Sequence, residues 1–110
     1  MRKLYIVKTN QQFEDIITTG KCDKNKYFVI YNKDNKLKYD RFGISVTKKL
    51  GNAVFRNKYK RIIRSIIDNY KKLYINHKDY IIILRKDAID CDYEILTKEL
   101  FSLLNHNQKG

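Results

Sequence analysis

The residues of this sequence that could do chemistry are mostly basic. Between Arg41 and Ile67 the chain has eight Lys or Arg residues and no Asp or Glu, and its net charge is +12. Guanidinium groups can donate two parallel hydrogen bonds to a phosphate, and ammonium groups supply positive charge on flexible stems. The window therefore predicts a surface that binds a polyanion, of which nucleic acid is the commonest.

Residues that could support covalent catalysis are scarce. His77 and His106 have no nucleophile or carboxylate at a recognisable spacing, and Cys22 and Cys91 have no partners at metal-ligand spacing. Acidic residues gather around the start of the last predicted helix, where a helix N-terminus already favours carboxylates: Asp87, Asp90, Asp92, Glu94 and Glu99. We therefore predict no catalytic side chain, and it stays open whether the protein itself binds a metal ion.

Most of the basic residues lie on one long predicted helix, residues 52–74. At about 100° per residue, its apolar residues from Phe55 to Tyr74 fall within an arc of roughly 140°, the width of a core-facing stripe. Asn52 is a suitable N-cap, and Gly51 before it would let a backbone or a phosphate approach closely. The opposite arc, about 100° wide, holds polar and basic residues: Asn57, Lys60, Arg61, Arg64 and Lys71.

The remaining predicted elements are shorter. An amphipathic helix is predicted over residues 10–19, with Gly20 as its terminator, and a second over residues 93–104. Strands are predicted at residues 27–32, 39–47 and 79–84, of which the last is apolar on both faces and therefore central in the sheet. The order α, two or three β, α, β, α predicts the α+β class, as a two-layer α/β sandwich forming a single RNA-binding domain over residues 1–110.

A second binding surface is predicted on the sheet. Alternation places Tyr27 and Tyr31 on one face of their strand, while Gly43, Ser45 and Thr47 form a shallow face on the next strand. If these strands pair suitably, the first helix could bring Phe13 to the edge of this face. Such a groove would suit stacked bases of a single RNA strand. The same pattern would also suit ordinary core aromatics beneath the helix.

The sequence also limits the class of partner. Its apolar runs are far shorter than the roughly 20 residues that a membrane helix needs, so we expect no membrane association. We see no cleavable signal peptide and expect a cytoplasmic protein. Binding in a DNA major groove would require base-reading side chains along the basic helix and a dimer-forming element, neither of which is evident, so we expect no DNA partner.

Several motifs together resemble the bacterial ribonuclease P protein subunit family. The resemblance runs through Lys48-Lys49, Gly51-Asn52-Ala53-Val54, Arg56-Asn57-Lys58 and Lys60-Arg61-Ile62-Ile63-Arg64. The Phe13 helix, the strand Phe28-Val29-Ile30-Tyr31 and the strand beginning Asp79-Tyr80 also occur in the order typical of that family. The resemblance therefore covers nearly the whole chain.

The resemblance implies a protein that binds a catalytic RNA and precursor tRNA and assists endonucleolytic removal of the 5′ leader by hydrolysis. It implies that Mg²⁺ ions held by the RNA carry out the chemistry, and we identify no cofactor bound by the protein itself. It also implies a left-handed crossover around the long helix, against the usual hand. The residues that would face the catalytic RNA are Lys48, Lys49, Asn52, Arg56, Asn57, Lys58, Lys60, Arg61 and Arg64. The residues of the leader-binding groove would be Phe13, Ile17, Tyr27, Tyr31 and Ser45.

Two positions depart from the family pattern. Lys58 stands where the third residue of an Arg-Asn-Arg core is expected, which keeps the charge but loses bidentate geometry. Ile17 stands where a second aromatic often follows Phe13 by one turn, so one stacking contact would be missing. The alternative interpretation is a ribosomal-type protein of related fold, which would bind ribosomal RNA and have no effect on leader removal.

Overall fold

The fold is seen in a computed structural model that describes Val7, residues 10–69 and residues 77–108, apart from the side chains of residues 106–108. Two short 3-10 turns, Lys48–Leu50 and Lys86–Ala88, lie between the main elements. The predicted α+β class and element order are confirmed, with three strands before the basic helix. The elements are α1 (Asn10–Thr19), β1 (Lys21–Lys24), β2 (Phe28–Asp34), β3 (Arg41–Ser45), α2 (Ala53–Asp68), β4 (Lys78–Leu84) and α3 (Tyr93–Gln108).

The four strands form one mixed sheet in the order β1-β2-β4-β3. β4 pairs antiparallel with β2 and parallel with β3, so it is a central strand, as its apolar character on both faces predicts. β1 lies at the edge and pairs antiparallel with β2. The helix α2 therefore connects two parallel strands that are direct neighbours in the sheet.

One face of the sheet carries the main core. Alternate residues of β2, β3 and β4 point to this face, and they pack against the apolar sides of α2 and α3. The rings of Phe42 and Tyr80 stack at its centre with 5.2 Å between centroids and 8° between planes. From α2, the buried residues are Tyr59, Ile63, Ile66 and Ile67. The predicted apolar stripe of the basic helix is thus the surface that fixes it to the sheet.

The other face of the sheet carries a smaller apolar cluster beneath α1. Val7, Ile16 and Ile81 are buried there, and Phe13, Tyr31 and Ile83 are half-buried against them. α1 ends at Thr19, where the Gly20 amide donates to the Ile16 carbonyl at 2.9 Å, so the predicted terminator is confirmed.

The basic helix ends earlier than predicted within the described chain. α2 stops at Asp68, and the Asn69 amide bonds back to the carbonyls of Ile66 and Ile67. The predicted continuation over residues 70–74, including Lys71, lies outside the described residues. Within the described residues, no helix is both long and apolar enough to cross a membrane.

Candidate nucleic-acid interface

The N-terminus of α2 is fixed by Asn52. Its Oδ1 accepts a hydrogen bond from the Phe55 amide at 2.9 Å, and its carbonyl accepts one from the Arg56 amide at 2.9 Å. The first bond satisfies one of the amides that a helix start leaves without partners, and the second is the first regular backbone bond of the helix. Lys48 and Lys49 lie just before the cap and are exposed. Asn52 therefore fixes where α2 begins, and with it the positions of the basic residues along the helix.

Gly51 has a different role from the one predicted. A β-carbon at this position would lie 2.5 Å from Cδ1 and 2.7 Å from Cγ of Phe55, so a side chain would collide with that ring. The φ of Gly51 is 168°, which is extended backbone open to any residue, so the requirement is steric rather than conformational. Phe55 in turn packs against Tyr59, with ring centroids 4.8 Å apart. The space that a side chain at Gly51 would take is thus filled by the Phe55 ring.

Polar contacts to the loop before α3, and to α3 itself, hold α2 in its orientation. The Asp90 amide donates to the Tyr59 hydroxyl at 3.1 Å, and the hydroxyls of Ser65 and Tyr93 lie 2.8 Å apart. Together with the buried stripe, these contacts fix which side of α2 faces outward. That outward side carries the basic residues.

The outward side of α2 is a cationic face. Arg61, Arg64, Asn57 and Lys58 are exposed, and Arg56 and Lys60 are half-buried. A shallow depression of about 480 Å³ runs along this face, lined by Val54, Asn57, Lys60, Arg61 and Arg64.

Ion pairing leaves this face positive. Asp68 lies four residues after Arg64, a spacing that permits an ion pair. In the described part of the chain, however, no carboxylate lies within ion-pair distance of Arg61 or Arg64. Ion pairs elsewhere in the described chain include Lys33 to Asp15 and Arg41 to Asp79, both 2.6 Å. The predicted outward and unpaired placement of these arginines on α2 is therefore what the structure shows.

Arg41, at the edge of the basic window, does not belong to this face. Its Nε and Nη2 donate to the two carboxylate oxygens of Asp79 at 2.9 and 2.6 Å. Hydrogen bonding to Asp79 raises the pKa of Arg41 above its ordinary value. The two residues are register partners in β3 and β4, so the pair ties these strands together. One of the eight charges in the basic window is thus used within the fold.

The predicted groove residues are brought together only in part. Phe13 and Tyr31 both pack in the cluster under α1, and Ser45 is half-buried at the end of β3. Ile17 is 38% exposed, while its neighbour Ile16 is buried in the cluster. Tyr27 is misplaced in the prediction, because it packs against the main core on the other face of the sheet.

Tyr31 has a neighbour that could not be assigned from the sequence. Cys22 on β1 is its cross-strand partner and is exposed. Charge repulsion from a Cys22 thiolate raises the pKa of Tyr31 above 10.0, with burial and a hydrogen bond to Cys22 acting in the same direction.

Metal-ligating side chains do not cluster in the described chain. Among its residues, no three His, Cys, Asp or Glu side chains lie where they could hold one ion together. His77 instead has its Nδ1 2.6 Å from the Leu37 carbonyl. Cys91 is half-buried, and its Sγ donates to the Asp87 carbonyl at 3.2 Å.

Among the residues that line the depression, Val54 is the one that the sequence predictions did not include. It lines the depression although it is apolar, and it is 77% exposed. A signal was present in the sequence, because Val54 lies about 150° around the helix from the centre of the apolar arc at about 100° per residue.

Known proteins resemble this chain over nearly its whole length. A model of the ribonuclease P family matches residues 1–108. The ribonuclease P protein component of Mycoplasma capricolum is 45% identical over 105 residues, which cover 94% of this chain and 96% of the relative. The solved RNase P protein of Staphylococcus aureus is 39% identical with a TM-score of 0.85, covering 94% of both chains. That of Thermotoga maritima is 31% identical with a TM-score of 0.83, covering 92% of this chain and 96% of the other.

The fold and the site define an α+β RNA-binding protein, in which a capped cationic helix links two neighbouring parallel strands. The comparisons narrow this class to one kind of ribonucleoprotein subunit. The chain belongs to the bacterial ribonuclease P protein family. Its function is that of the protein component of ribonuclease P, which acts in tRNA processing and partners the ribonuclease P RNA. The alternative of a ribosomal RNA-binding protein is not supported.

Proposed function

We propose that the cationic face of α2 binds the ribonuclease P RNA, while the groove beside α1 binds the 5′ leader of precursor tRNA. The observation that carries the first part is the exposure of Arg61 and Arg64, with no carboxylate partner for either among the described residues. A folded RNA presents phosphates that such guanidinium groups can bind in pairs of hydrogen bonds. The same surface gains positive charge from four lysines, Lys48, Lys49, Lys58 and Lys60, and from Arg56 in the first turns of α2. Asn57 adds a neutral amide that can donate and accept hydrogen bonds.

Asn52 contributes to this interface mainly by position. Its Oδ1 already accepts from the Phe55 amide, so its part is to hold the first turn rather than to offer that oxygen to RNA. The Nε of Arg56 lies 3.4 Å from the Asn52 carbonyl, which keeps this guanidinium near the cap. The start of α2 therefore presents an ordered group of donors to the RNA backbone.

The rings of Phe13 and Tyr31 form the main part of the proposed leader groove. Both rings are half-buried, so each is held by the cluster beneath it and keeps some accessible surface. Unpaired bases stack on such rings with little dependence on sequence, which suits leaders of varied composition. Ser45 and Ile17 lie on the same side of the molecule and would border the groove, whereas Tyr27 lies on the other side of the sheet.

We assign the hydrolytic chemistry to the RNA component and the Mg²⁺ that it holds, and the positioning of the two RNAs to this chain. Catalytic RNA and precursor tRNA are both polyanions and repel one another. A cationic protein between them lowers that repulsion and reduces the need for free Mg²⁺. We expect the complex to act in the cytoplasm, where bacterial transcripts are processed.

Reconstitution at low Mg²⁺ tests this proposal. Cognate ribonuclease P RNA would be mixed with precursor tRNA labelled in its leader, and leader release would be measured with and without the protein. We expect release to depend on the protein at low Mg²⁺ and to become independent of it at high Mg²⁺. The control is the Lys24→Ala/Lys98→Ala variant, which removes two charges from β1 and α3 and should behave as the original protein does. Equal release with and without the protein at every Mg²⁺ concentration would contradict the proposal.

A further inference from the structure

We infer that Val54 receives an unpaired nucleobase of the ribonuclease P RNA, so that the cationic face reads RNA shape as well as phosphate charge. This inference rests on the proposed function of α2 and adds a specific contact to it. It concerns a side chain that has no electrostatic role.

The exposure of Val54 is not explained by the fold. It is 77% exposed, more than the other large apolar residues exposed in the described chain, which are Ile17, Tyr93 and Ile95. It belongs to neither apolar cluster. Helix stability does not explain it either, because Val has a lower helix propensity than Ala. An apolar group left in water at this position gains free energy only when a partner covers it.

Val54 is surrounded by groups that bind RNA. It lies three residues before Asn57, four before Lys58 and seven before Arg61, so all four share one side of α2. The depression of about 480 Å³ joins Val54 to Asn57, Lys60, Arg61 and Arg64. The partner that covers Val54 must therefore present an apolar surface within reach of strongly cationic groups. An acidic protein surface would satisfy the charges, but it would place carboxylates rather than an apolar face over the valine.

A nucleobase meets both requirements. Its flat face is apolar enough to pack on an aliphatic side chain, and its edges can exchange hydrogen bonds with an amide such as that of Asn57. The guanidinium of Arg61 can stack on the same base or bind its phosphate. Bases within an RNA duplex are stacked on both faces, the deep major groove admits no side chain, and the shallow minor groove presents only base edges and 2′-hydroxyls. The base that reaches Val54 must therefore be unpaired, in a loop, a bulge or a junction.

The test uses two variants whose effects should differ in kind. Val54→Ala removes two carbons from the contact and should raise the Kd for cognate ribonuclease P RNA by about five- to ten-fold. Every phosphate contact remains in this variant, so the slope of log K against log salt should stay unchanged. Arg64→Ala should instead lower the steepness of that slope. Ile95→Ala, an exposed apolar residue of α3, is the matched control and should change neither quantity.

The outcomes distinguish failure of this inference from failure of the proposed RNA interface on α2. If Val54→Ala binds RNA as the original protein does, or changes the salt slope as Arg64→Ala does, the inference is wrong. The proposed RNA interface would still stand if Arg64→Ala weakened binding and flattened the slope. If Arg64→Ala had no effect on either quantity, the interface itself would be wrong.

A second measurement locates the partner directly. A photoreactive benzophenone amino acid at position 54 should crosslink to one or two unpaired nucleotides of the cognate RNA. Those nucleotides should lose their reactivity to base-modifying reagents when the original protein binds. Crosslinks confined to paired segments would overturn the inference.

Discussion

The ring of Phe13 fills the space that a side chain at Gly43 would need. A β-carbon at Gly43 would lie 2.9 Å from Cε1 of Phe13 and 2.7 Å from Cδ1 of Ile81. The glycine thus lets an aromatic ring from α1 rest directly on the backbone of β3. The shallow face predicted from the small residues of this strand is therefore partly filled by the ring that we assign to leader binding.

Substitution of Gly43 by Ala should separate this ring from the sheet. Overpacking of this kind costs about 1 to 3 kcal/mol of unfolding free energy, measurable by urea denaturation. The cost should be smaller when Phe13 is replaced by Leu, because the smaller side chain leaves room for the new methyl group. A coupling of at least about 0.5 kcal/mol in this double-mutant cycle is expected for residues in contact. Strict additivity would show that the two residues do not share this space.

Replacement of Tyr31 by Ala should weaken binding of leader-bearing precursor tRNA to the holoenzyme. Stacking of one base on an aromatic ring contributes about 1 to 3 kcal/mol, which corresponds to a decrease of roughly five-fold or more in affinity. Affinity for mature tRNA should not change, since it lacks the leader. Tyr31→Phe keeps the ring and serves as the control. Equal decreases for precursor and mature tRNA would reject the leader groove.

Alkylation of Cys22 offers a footprint of the same groove without any substitution. Cys22 is exposed beside Tyr31, whereas Cys91 is half-buried and bonded to the Asp87 carbonyl, which makes it an internal reference. In the holoenzyme, precursor tRNA should slow the reaction of Cys22 with iodoacetamide, and mature tRNA should not. Mass spectrometry of the two cysteine peptides gives both rates in one sample. Protection by mature tRNA to the same extent would place the contact outside the leader.

The raised pKa of Tyr31 predicts a pH dependence of stability. Because the folded state holds the phenolic proton more tightly than the unfolded chain does, this contribution is complete below pH 10 and disappears as the pH rises through the folded pKa. The difference in unfolding free energy between the original protein and Tyr31→Phe should therefore shrink above about pH 10. Cys22→Ser removes the largest cause of the shift and should reduce this pH dependence. A difference that stays constant from about pH 8 to about pH 11 would contradict the assignment.

Local signals in the sequence predicted the helices and the cationic face well. Gly20 ends α1 and Asn52 caps α2 as expected, because both effects depend on residues within one turn of the helix end. The apolar stripe of α2 predicted which side of the helix would be buried. The exposure of Arg61 and Arg64 followed from it, because they lie on the opposite side.

Features that depend on distant residues could not be predicted in this way. The charge pattern alone groups Arg41 with the basic surface, because its partner Asp79 lies 38 residues further along the chain. The sequence alone does not show that the Phe55 ring occupies the space beside Gly51.

The prediction for Tyr27 is wrong because it extends the alternation of β2 one residue too far. The strand begins at Phe28, and Asn25 Oδ1 accepts the amides of Tyr27 and Phe28 in the turn before it. Such a turn breaks the two-residue period on which the assignment of faces depends. The pairing of β1 with β2, which makes Cys22 and Tyr31 neighbours, likewise could not be predicted without the order of the strands in the sheet.

The salt dependence of binding to cognate ribonuclease P RNA tests the central claim most directly. The Arg61→Ala/Arg64→Ala variant should bind more weakly, and its log K should fall less steeply with log salt, by about 0.7 to 0.9 for each phosphate that is no longer bound. The Lys24→Ala/Lys98→Ala variant carries the same net charge and should keep the original slope. If the arginine variant kept the original slope, or if both variants lowered it equally, the exposed face of α2 would not be the surface that binds the RNA.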